Sequence, residues 1–539
     1  MSLFSSLSLQ HVKNEMLEIS TQCSLRGLVQ SMKWSAELAA ALPSSDENLE
    51  IMSNELNKDK LFLKEYDKYC LGKGYFDCKE FSRASLYLKD CKSKLCQFLY
   101  FYSRYMEYEK KKKYQFVDVL DEKAAEKQDW QELIDLRDDL KKNEDNLDSY
   151  GFYLYGIVLK NLDLTKEAIE NLECSIQMEP LFWAAWQELS TLCKDRQMLK
   201  ELKVPKHWMS EFFYSSVELE LHMAEEALTR YQDISAAGFN GSSYVNSQIA
   251  ICLYNLRDFD NSVEYFRELY DADPEMLEHI DVYSNILYIQ EDRPELSHLA
   301  HHVCKVDKYR TESCVVIGNY YSLRGDHDKA VMYFKQALRL NSNYVAAWTL
   351  LGHEYVELKN TSAAILSYRK ATGVNPHDFR GWYGLGQTYE LLNMPFYSLC
   401  YFKEAQKLRP NDPRMLIALG DTYNTIENLN EAKKCFLRAV RLGDSEGQAI
   451  VKLGRLQEQC NEMEEAALSY TKYIKRLENS VHISEDIAHA CLFLARHHLD
   501  LKQYDEATTY ARKAMEYTES RDEGKTLMFE ISQMSSSVK

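Results

Sequence analysis

The chain has 539 residues, a formal net charge of -18 and a sequence pI of about 5.4. This acidic balance argues against a nucleic-acid-binding protein, because phosphate binding requires a basic face. With only 9 prolines and 19 glycines, against 37 tyrosines, the composition favours an all-helical chain.

The first 64 residues are predicted to form an N-terminal helical segment. Helical periodicity runs from His11 to Gln22 and again from Leu25 to Ala41, and Pro43 ends it. No charged region followed by an apolar core opens the chain, and no run approaches the length of a membrane span. We therefore expect an intracellular, soluble protein without a membrane partner.

Residues 65 to 242 are predicted to form a degenerate array of helical repeats. Within it, the helix from Leu95 to Tyr108 is apolar almost all round, which predicts burial on more than one side. Either a neighbouring unit or a second subunit could cover it. The aromatic side chains concerned are Phe98, Tyr100, Phe101, Tyr102 and Tyr105.

Residues 243 to 480 are predicted to contain seven consecutive units of the tetratricopeptide type, each a helix-turn-helix hairpin of about 34 residues. Large residues such as Trp348, Leu351 and Tyr355 recur around one glycine in a fixed register. Because a helical glycine costs about 1 kcal/mol relative to alanine, we expect each to permit a close helix approach. These repeat-packing glycines are Gly318, Gly352, Gly386, Gly420 and Gly454.

A single hairpin of this kind cannot bury its apolar face, so successive units must stack. The predicted fold class is therefore an all-α tetratricopeptide repeat solenoid, a right-handed superhelix of helix-turn-helix units. Residues 481 to 528 are predicted to hold an insertion and the last repeat or capping helices. The serine-rich tail from 529 to 539 is predicted to be disordered.

No catalytic constellation is visible in the sequence. There is no Gly-rich phosphate loop, and the 14 cysteines contain no Cys-x2-Cys pair at zinc spacing. Cys91 and Cys96 are the closest approach to such a pair. We therefore expect no enzyme activity, no cofactor and no metal, and mostly buried thiols in a reducing compartment.

A repeat array does supply a concave groove, lined by the first helix of each unit, that can hold an extended peptide or a partner helix. Amides there can pair with a peptide backbone, a tyrosine can pack a side chain, and carboxylates can pair with arginines. Arginines lie nearby as well, so the groove is mixed in sign. The candidate groove residues are Asn319, Thr349, His353, Glu357, Tyr383, Gln387, Glu390, Asp421 and Asn424.

Two other classes of repeat protein fit the sequence less well. A co-chaperone or peptide adaptor of the carboxylate-clamp type needs lysine, asparagine and arginine converging in the groove. A repeat-bearing glycosyltransferase needs a large catalytic domain after the repeats. The ninth positions of successive units, which would form the clamp, are instead Asn319, His353, Gln387, Asp421 and Arg455.

Five blocks of the sequence are more specific than the repeat consensus: Lys33–Leu38, Phe98–Tyr105, Leu154–Lys160, Ala347–Tyr355 with Lys359–Ile365, and Trp382–Tyr389 with Asn393–Phe396. These blocks resemble subunit 8 of the anaphase-promoting complex (cyclosome), the cell division cycle protein 23 family. The resemblance runs from about residue 20 to about residue 525. A sister repeat subunit of the same complex is the nearest alternative.

This resemblance implies a non-catalytic scaffold in a cullin-RING-type ubiquitin ligase that promotes ubiquitination of cell-cycle proteins during mitosis and cell division. It implies a nuclear and cytoplasmic location. The implied partners are the other subunits of the complex and an activator subunit, bound through its arginine-containing C-box in the C-terminal superhelix. It also implies a homodimer through the N-terminal repeats, where the aromatic helix lies.

Overall fold

The computed structural model describes residues 8–43, 60–115, 130–193, 195–221, 223–444, 447–477, 485–517 and 520–537. The regular structure in these ranges is helical, without a strand, and it forms the tetratricopeptide repeat solenoid that the sequence predicts. None of the helices described is both long enough and apolar enough to cross a membrane. The chain divides into two compact units, residues 1–325 (unit 1) and 326–539 (unit 2).

Unit 1 consists of helices of unequal length, with a 3-10 turn at Glu144–Asn146 and a π-helical turn at Ser235–Phe239. Its helices are α1 (Leu9–Leu25), α2 (Val29–Ala41), α3 (Lys60–Asp77), α4 (Phe81–Leu88), α5 (Lys94–Gln115), α6 (Gln131–Lys142), α7 (Ser149–Asn161), α8 (Thr165–Met178), α9 (Trp183–Leu192), α10 (Arg196–Glu201), α11 (Met209–Glu220), α12 (Ala224–Ile234), α13 (Ser243–Asn255), α14 (Phe259–Ala272), α15 (Ile280–Ile289), α16 (Arg293–Val306) and α17 (Thr311–Leu323).

Unit 2 is more regular, because its helices follow the 34-residue period of the sequence. Its helices are α18 (His327–Leu340), α19 (Val345–Glu357), α20 (Thr361–Val374), α21 (Phe379–Leu391), α22 (Pro395–Leu408), α23 (Pro413–Thr425), α24 (Leu429–Leu442), α25 (Gln448–Gln459), α26 (Met463–Leu477), α27 (Glu485–Asp500), α28 (Tyr504–Met515) and α29 (Arg521–Ser537).

The repeat glycines of unit 2 each face an aromatic ring in the second helix of the same hairpin. A Cβ added at Gly352 would lie 2.5 Å from Tyr368 Cε1, and one at Gly386 would lie 2.5 Å from Phe402 Cε1. The predicted close approach at the glycines is therefore confirmed for this unit. The group that approaches each glycine is an aromatic ring. The same relation holds for Gly420 with Phe436 and for Gly454 with Tyr470, while Gly318 is buried in α17 of unit 1.

In the core of unit 1, the N-terminal helices pack on the degenerate repeats. Trp34 in α2 stacks on Trp183 in α9 with ring centroids 4.9 Å apart, and Phe212 and Tyr244 meet its edges. Leu38, one turn further along α2, is 1% exposed. Trp34 and Leu38 therefore lie on a face of α2 that packs inside unit 1.

The aromatic residues of α5 are covered mainly by their own chain. Phe98 and Phe101 are 3% and 4% exposed, and Tyr102 packs on Phe76 at 5.4 Å between ring centroids. Tyr105 accepts a hydrogen bond from Asn161 Nδ2 at 3.1 Å, and Tyr100 is half-buried against Phe101. Helices α3, α4, α6 and α7 all pack on α5. A second copy of the chain is therefore not needed to bury Phe98 and Phe101. The homodimer contact expected at Phe98, Tyr100, Phe101, Tyr102 and Tyr105 stays a prediction.

Two boundaries drawn from the sequence differ from the helices observed. The division at residue 64 falls inside α3, which begins at Lys60. The tail predicted to be disordered from residue 529 is helical as far as Ser537, and Ile531 is 4% exposed because it packs on α27 and α28. Of the residues 481 to 528 predicted to hold an insertion and the last helices, 481–484 lie outside the described residues.

Candidate peptide-binding groove

The first helices of the hairpins in unit 2 lie side by side. Helix α19 packs on α21 and α23 packs on α25, whereas the second helices show no comparable pairing in the described part of this unit. Unequal spacing of the two layers curves the stack toward the first helices. We name the surface formed by His353, Glu357, Tyr383, Gln387, Glu390, Asp421, Asn424 and Lys452 the unit 2 groove.

His353 lies in a partly enclosed part of this surface. Its side chain is exposed to solvent, yet burial among surrounding protein atoms, with a further effect of the Arg380 charge, lowers its pKa to about 4. Such a combination is expected where neighbouring side chains surround an accessible ring and replace part of its hydration. Its Nδ1 lies 2.9 Å from the hydroxyl of Tyr368, which fixes the ring.

Burial also shifts the pKa of two further groove residues, Glu390 and Tyr383. Burial, together with the charge of Asp421, raises the pKa of the exposed Glu390 carboxyl above its usual range. Burial also raises the pKa of Tyr383, whose ring lies half-buried with its centroid 5.4 Å from that of Phe402. A carboxylate that has lost hydration without gaining a partner attracts a cationic ligand.

Asp421 already has a partner inside the protein. Lys452 in α25 donates a hydrogen bond to Asp421 Oδ2, and burial nevertheless raises the pKa of Asp421 above its usual range. The side-chain carboxylate of Glu390, in contrast, forms no hydrogen bond or ion pair with the residues that the structure describes, although the charge of Lys452 acts to lower its pKa. The uncompensated negative charge of this part of the groove is therefore that of Glu390.

Basic side chains lie toward the start of the same helices. Asp412 accepts hydrogen bonds from the backbone and side chain of Arg414, which hold its pKa low although burial acts to raise it. Burial lowers the pKa of Arg409 to about 10, and its guanidinium lies 4.2 Å from the centroid of the Phe379 ring. The groove is thus mixed in sign, as the sequence indicates.

Two of the predicted groove residues are not accessible to a ligand. Asn319 belongs to unit 1, is 2% exposed and donates to Ser284 Oγ and Asn285 Oδ1 at 2.9 and 2.8 Å. Thr349 is 3% exposed and donates to the carbonyl of Ala346, one turn earlier, at 2.8 Å. Short polar side chains at these positions are enclosed by the packed helices, so both residues are excluded from the unit 2 groove.

The other predicted positions keep accessible polar groups. Glu357 and Gln387 are exposed and Asn424 is half-buried. A carboxylate-clamp arrangement is absent from this part of the structure, because Arg455 is paired with Asp486 and His353 is bonded to Tyr368. The polar groups available to a peptide are amides and carboxylates.

Sequence reasoning did not place Lys452 in the groove, because it occupies the sixth position of its repeat. A signal was present, since Lys452 and Asp421 are oppositely charged and lie about one repeat apart in the sequence. In a stack of hairpins, residues one repeat apart are neighbours on adjacent first helices.

Comparison with known proteins identifies the family. The model of the family described as anaphase promoting complex subunit 8 / Cdc23 matches residues 11–250. Tetratricopeptide repeats match residues 244–276, 311–344, 345–378, 413–442 and 488–521. In fold, the chain is similar to a crystal structure of the APC/C hetero-tetramer Cut9-Hcn1, with a TM-score of 0.57 over 86% of this chain and 89% of that one, at 18% identity.

Among proteins of known name, anaphase-promoting complex subunit 8 of Dictyostelium discoideum is 36% identical over 413 residues, which cover 66% of this chain and 69% of that protein. The Arabidopsis thaliana subunit 8 is 44% identical over 297 residues, which cover 55% of this chain but only 51% of the relative. The chain therefore belongs to the anaphase-promoting complex subunit 8 (Cdc23) family of tetratricopeptide repeat scaffold proteins.

Proposed function

We propose that this chain is a non-catalytic scaffold subunit of an anaphase-promoting complex ubiquitin ligase. Its unit 2 groove binds an arginine-containing segment, the C-box, of the activator subunit, and so promotes ubiquitination of cell-cycle proteins in the nucleus and cytoplasm. The single observation that carries the groove assignment is Glu390, an exposed carboxylate whose side chain has no hydrogen bond or ion pair among the described residues and whose pKa is raised by burial and by the charge of Asp421.

The chemistry of the groove suits an extended basic peptide. A guanidinium donates paired hydrogen bonds to a carboxylate, and such a charge-assisted pair is worth about 1.5 to 3 kcal/mol. Gln387 and Asn424 offer amides to the peptide backbone, and the half-buried Tyr383 offers a ring for packing. Lys452 keeps Asp421 from competing for the same cation.

A matched pair of variants tests this groove. Glu390→Gln keeps the shape of the side chain and removes its charge, whereas Glu431→Gln makes the same change on α24, a second helix outside the groove. The affinity of an activator N-terminal segment, measured by fluorescence anisotropy, should fall for the first variant alone. Equal affinities for both variants would place the peptide on another surface.

We further propose that unit 1 binds a second copy of the chain through α3 and α4. Large apolar side chains are concentrated there, with Leu86 69%, Leu63 51% and Tyr66 49% exposed. Such exposure is typical of an interaction surface. This face is a second candidate for the homodimer contact, beside the half-buried tyrosines of α5.

Purification of the tagged full chain from cells at physiological salt tests the scaffold role. The proposal predicts co-purification of a cullin-like subunit, a RING subunit and further repeat subunits, without ubiquitin transfer by the isolated chain. Recovery of chaperones in place of these subunits would support a peptide-adaptor function and contradict the proposal.

A further inference from the structure

Three possible metal ligands converge in unit 1, away from the groove. The carboxylate of Glu65 in α3, the thiol of Cys91 before α5 and the thiol of Cys96 in its first turn offer ligand atoms within 4.8 Å of one another. Cys91 and Cys96 are 5% and 0% exposed. The separation of two thiolate ligands in a tetrahedral zinc site is about 3.8 Å, from bonds of about 2.3 Å, so a small closure would bring them into range.

The local structure holds these groups in place. Both oxygens of Glu65 accept a hydrogen bond from the backbone N–H of Lys92, at 2.9 and 3.1 Å, and one also accepts from that of Ser93 at 3.0 Å. The carboxylate therefore spans the start of α5 and fixes the loop that carries Cys91. The lone pairs that it does not use in these bonds remain available to a cation.

A second observation points into the same cluster. Ser93 is 2% exposed, and its Oγ makes no hydrogen bond of good geometry, although the Glu65 carboxylate and the Cys96 thiol are near it. Its hydroxyl lies close enough to Glu65 and Cys96 to act on both. A buried hydroxyl without a hydrogen bond of good geometry is costly, and a cation bound by its neighbours would satisfy it directly or through a water.

The charges favour a borderline-soft divalent cation over a hard one. Cysteine thiolates prefer zinc to magnesium or calcium, although burial raises the pKa of both thiols, that of Cys96 to about 12. Two thiolates and one carboxylate carry three negative charges against two of the cation. The nearby charge of Lys68, which acts on Glu65 and Cys91, offsets the excess.

We propose that Glu65, Cys91 and Cys96 form a zinc-binding site, with Ser93 or a water completing the coordination. On binding, the two thiols release their protons to solvent and Zn²⁺ replaces them. The spacing in sequence conceals the site, because one ligand comes from α3. Zinc would tie α3 to the start of α5 and brace the N-terminal repeats.

The test uses the full chain, stripped of metal under reducing conditions and titrated with Zn²⁺ alone in competition with a chromophoric chelator. Co²⁺ serves as a spectroscopic probe, because thiolate coordination gives an intense charge-transfer band. The wild-type chain should bind one Zn²⁺ at this site, and Cys91→Ala and Cys96→Ala should each weaken binding at least tenfold. Cys78→Ala, which removes an exposed thiol outside the cluster, should leave the affinity unchanged.

Glu65→Gln keeps an acceptor for the two backbone N–H groups, so it tests the ligand role without removing the helix cap. It should weaken Zn²⁺ binding while circular dichroism shows an unchanged helix content. Zinc bound equally by all variants would be adventitious and would overturn the proposal. A Cys91–Cys96 disulfide in the purified chain, with no Zn²⁺ binding after reduction, would also overturn it and assign the pair to redox chemistry.

Discussion

Lys452 in α25 compensates the negative charge of Asp421 in α23, because it donates a hydrogen bond to that carboxylate across adjacent first helices of unit 2. The acidic position nominated most directly by the repeat register is therefore neutralised within the chain. Glu390, one hairpin earlier, is left as the uncompensated carboxylate. This relationship separates the groove acid that supports the structure from the one available to a ligand.

Glu390→Gln should raise the stability of the protein at neutral pH. Its carboxyl has a raised pKa in the folded chain, so the folded state binds that proton more tightly than the unfolded state does. The contribution of Glu390 to the free energy of unfolding is therefore present at low pH and is lost as the pH rises through the raised pKa. Thermal melts at several pH values check this, and a variant less stable than wild type above that pKa would contradict it.

The tight approach of Gly352 to Tyr368 predicts a large effect from a single methyl group. Gly352→Ala should destabilise unit 2 by about 1 to 3 kcal/mol, because the added Cβ overlaps the ring. Denaturant unfolding followed by circular dichroism measures the change.

Gly373 in α20 provides the control, since a Cβ there meets no atom within 4 Å. Gly373→Ala should be neutral or stabilising by up to about 1 kcal/mol, as for an exposed helical position. Similar losses in both variants would show that helix propensity, and not the ring contact, governs the repeat glycine.

The repeat period and the need for small residues followed from the sequence, because both are local and periodic. The sequence did not identify Tyr368 as the group that faces Gly352. The ring lies sixteen positions later in the chain and meets the glycine only after the hairpin closes. Asn319 and Thr349 were assigned to the groove by register alone. Their burial depends on how closely the neighbouring helices pack, which the repeat consensus does not encode.

The sequence correctly predicted that the aromatic helix α5 is buried on several sides. It did not predict which elements cover the helix. Periodicity measures the extent of an apolar surface and does not reveal whether the covering elements belong to the same chain. Helices α3, α4, α6 and α7 supply that cover.

Leu86→Glu should weaken self-association without loss of fold, because Leu86 is 69% exposed. Light scattering should show a shift toward monomer, with an unchanged melting temperature of the monomer. Phe98→Ala, in contrast, should destabilise unit 1 by about 3 to 5 kcal/mol, as expected for a buried aromatic residue. If Leu86→Glu remains as associated as wild type, the contact lies elsewhere.

The ion pair between Arg26 and Asp148 predicts a large loss when one partner is removed. Arg26 lies 2.8 Å from Asp148 Oδ2, and Asp148 Oδ1 also caps α7 by accepting from Gly151 N. Asp148→Ala leaves a guanidinium that is largely buried and removes the cap, so unit 1 should lose about 3 to 5 kcal/mol. Glu404→Gln, which breaks the exposed pair with Lys407, should cost less than about 1 kcal/mol in the same unfolding experiment.

The central claim is that Glu390 in the unit 2 groove binds a cationic residue of an activator segment. Its most direct test is the dissociation constant of an arginine-containing activator peptide for wild type, Glu390→Gln and Glu431→Gln, with a peptide carrying glutamine in place of arginine as a fourth arm. We predict about a ten- to hundredfold loss for Glu390→Gln, no loss for Glu431→Gln, and no further loss when Glu390→Gln meets the arginine-free peptide. Wild-type affinity in Glu390→Gln would contradict the account.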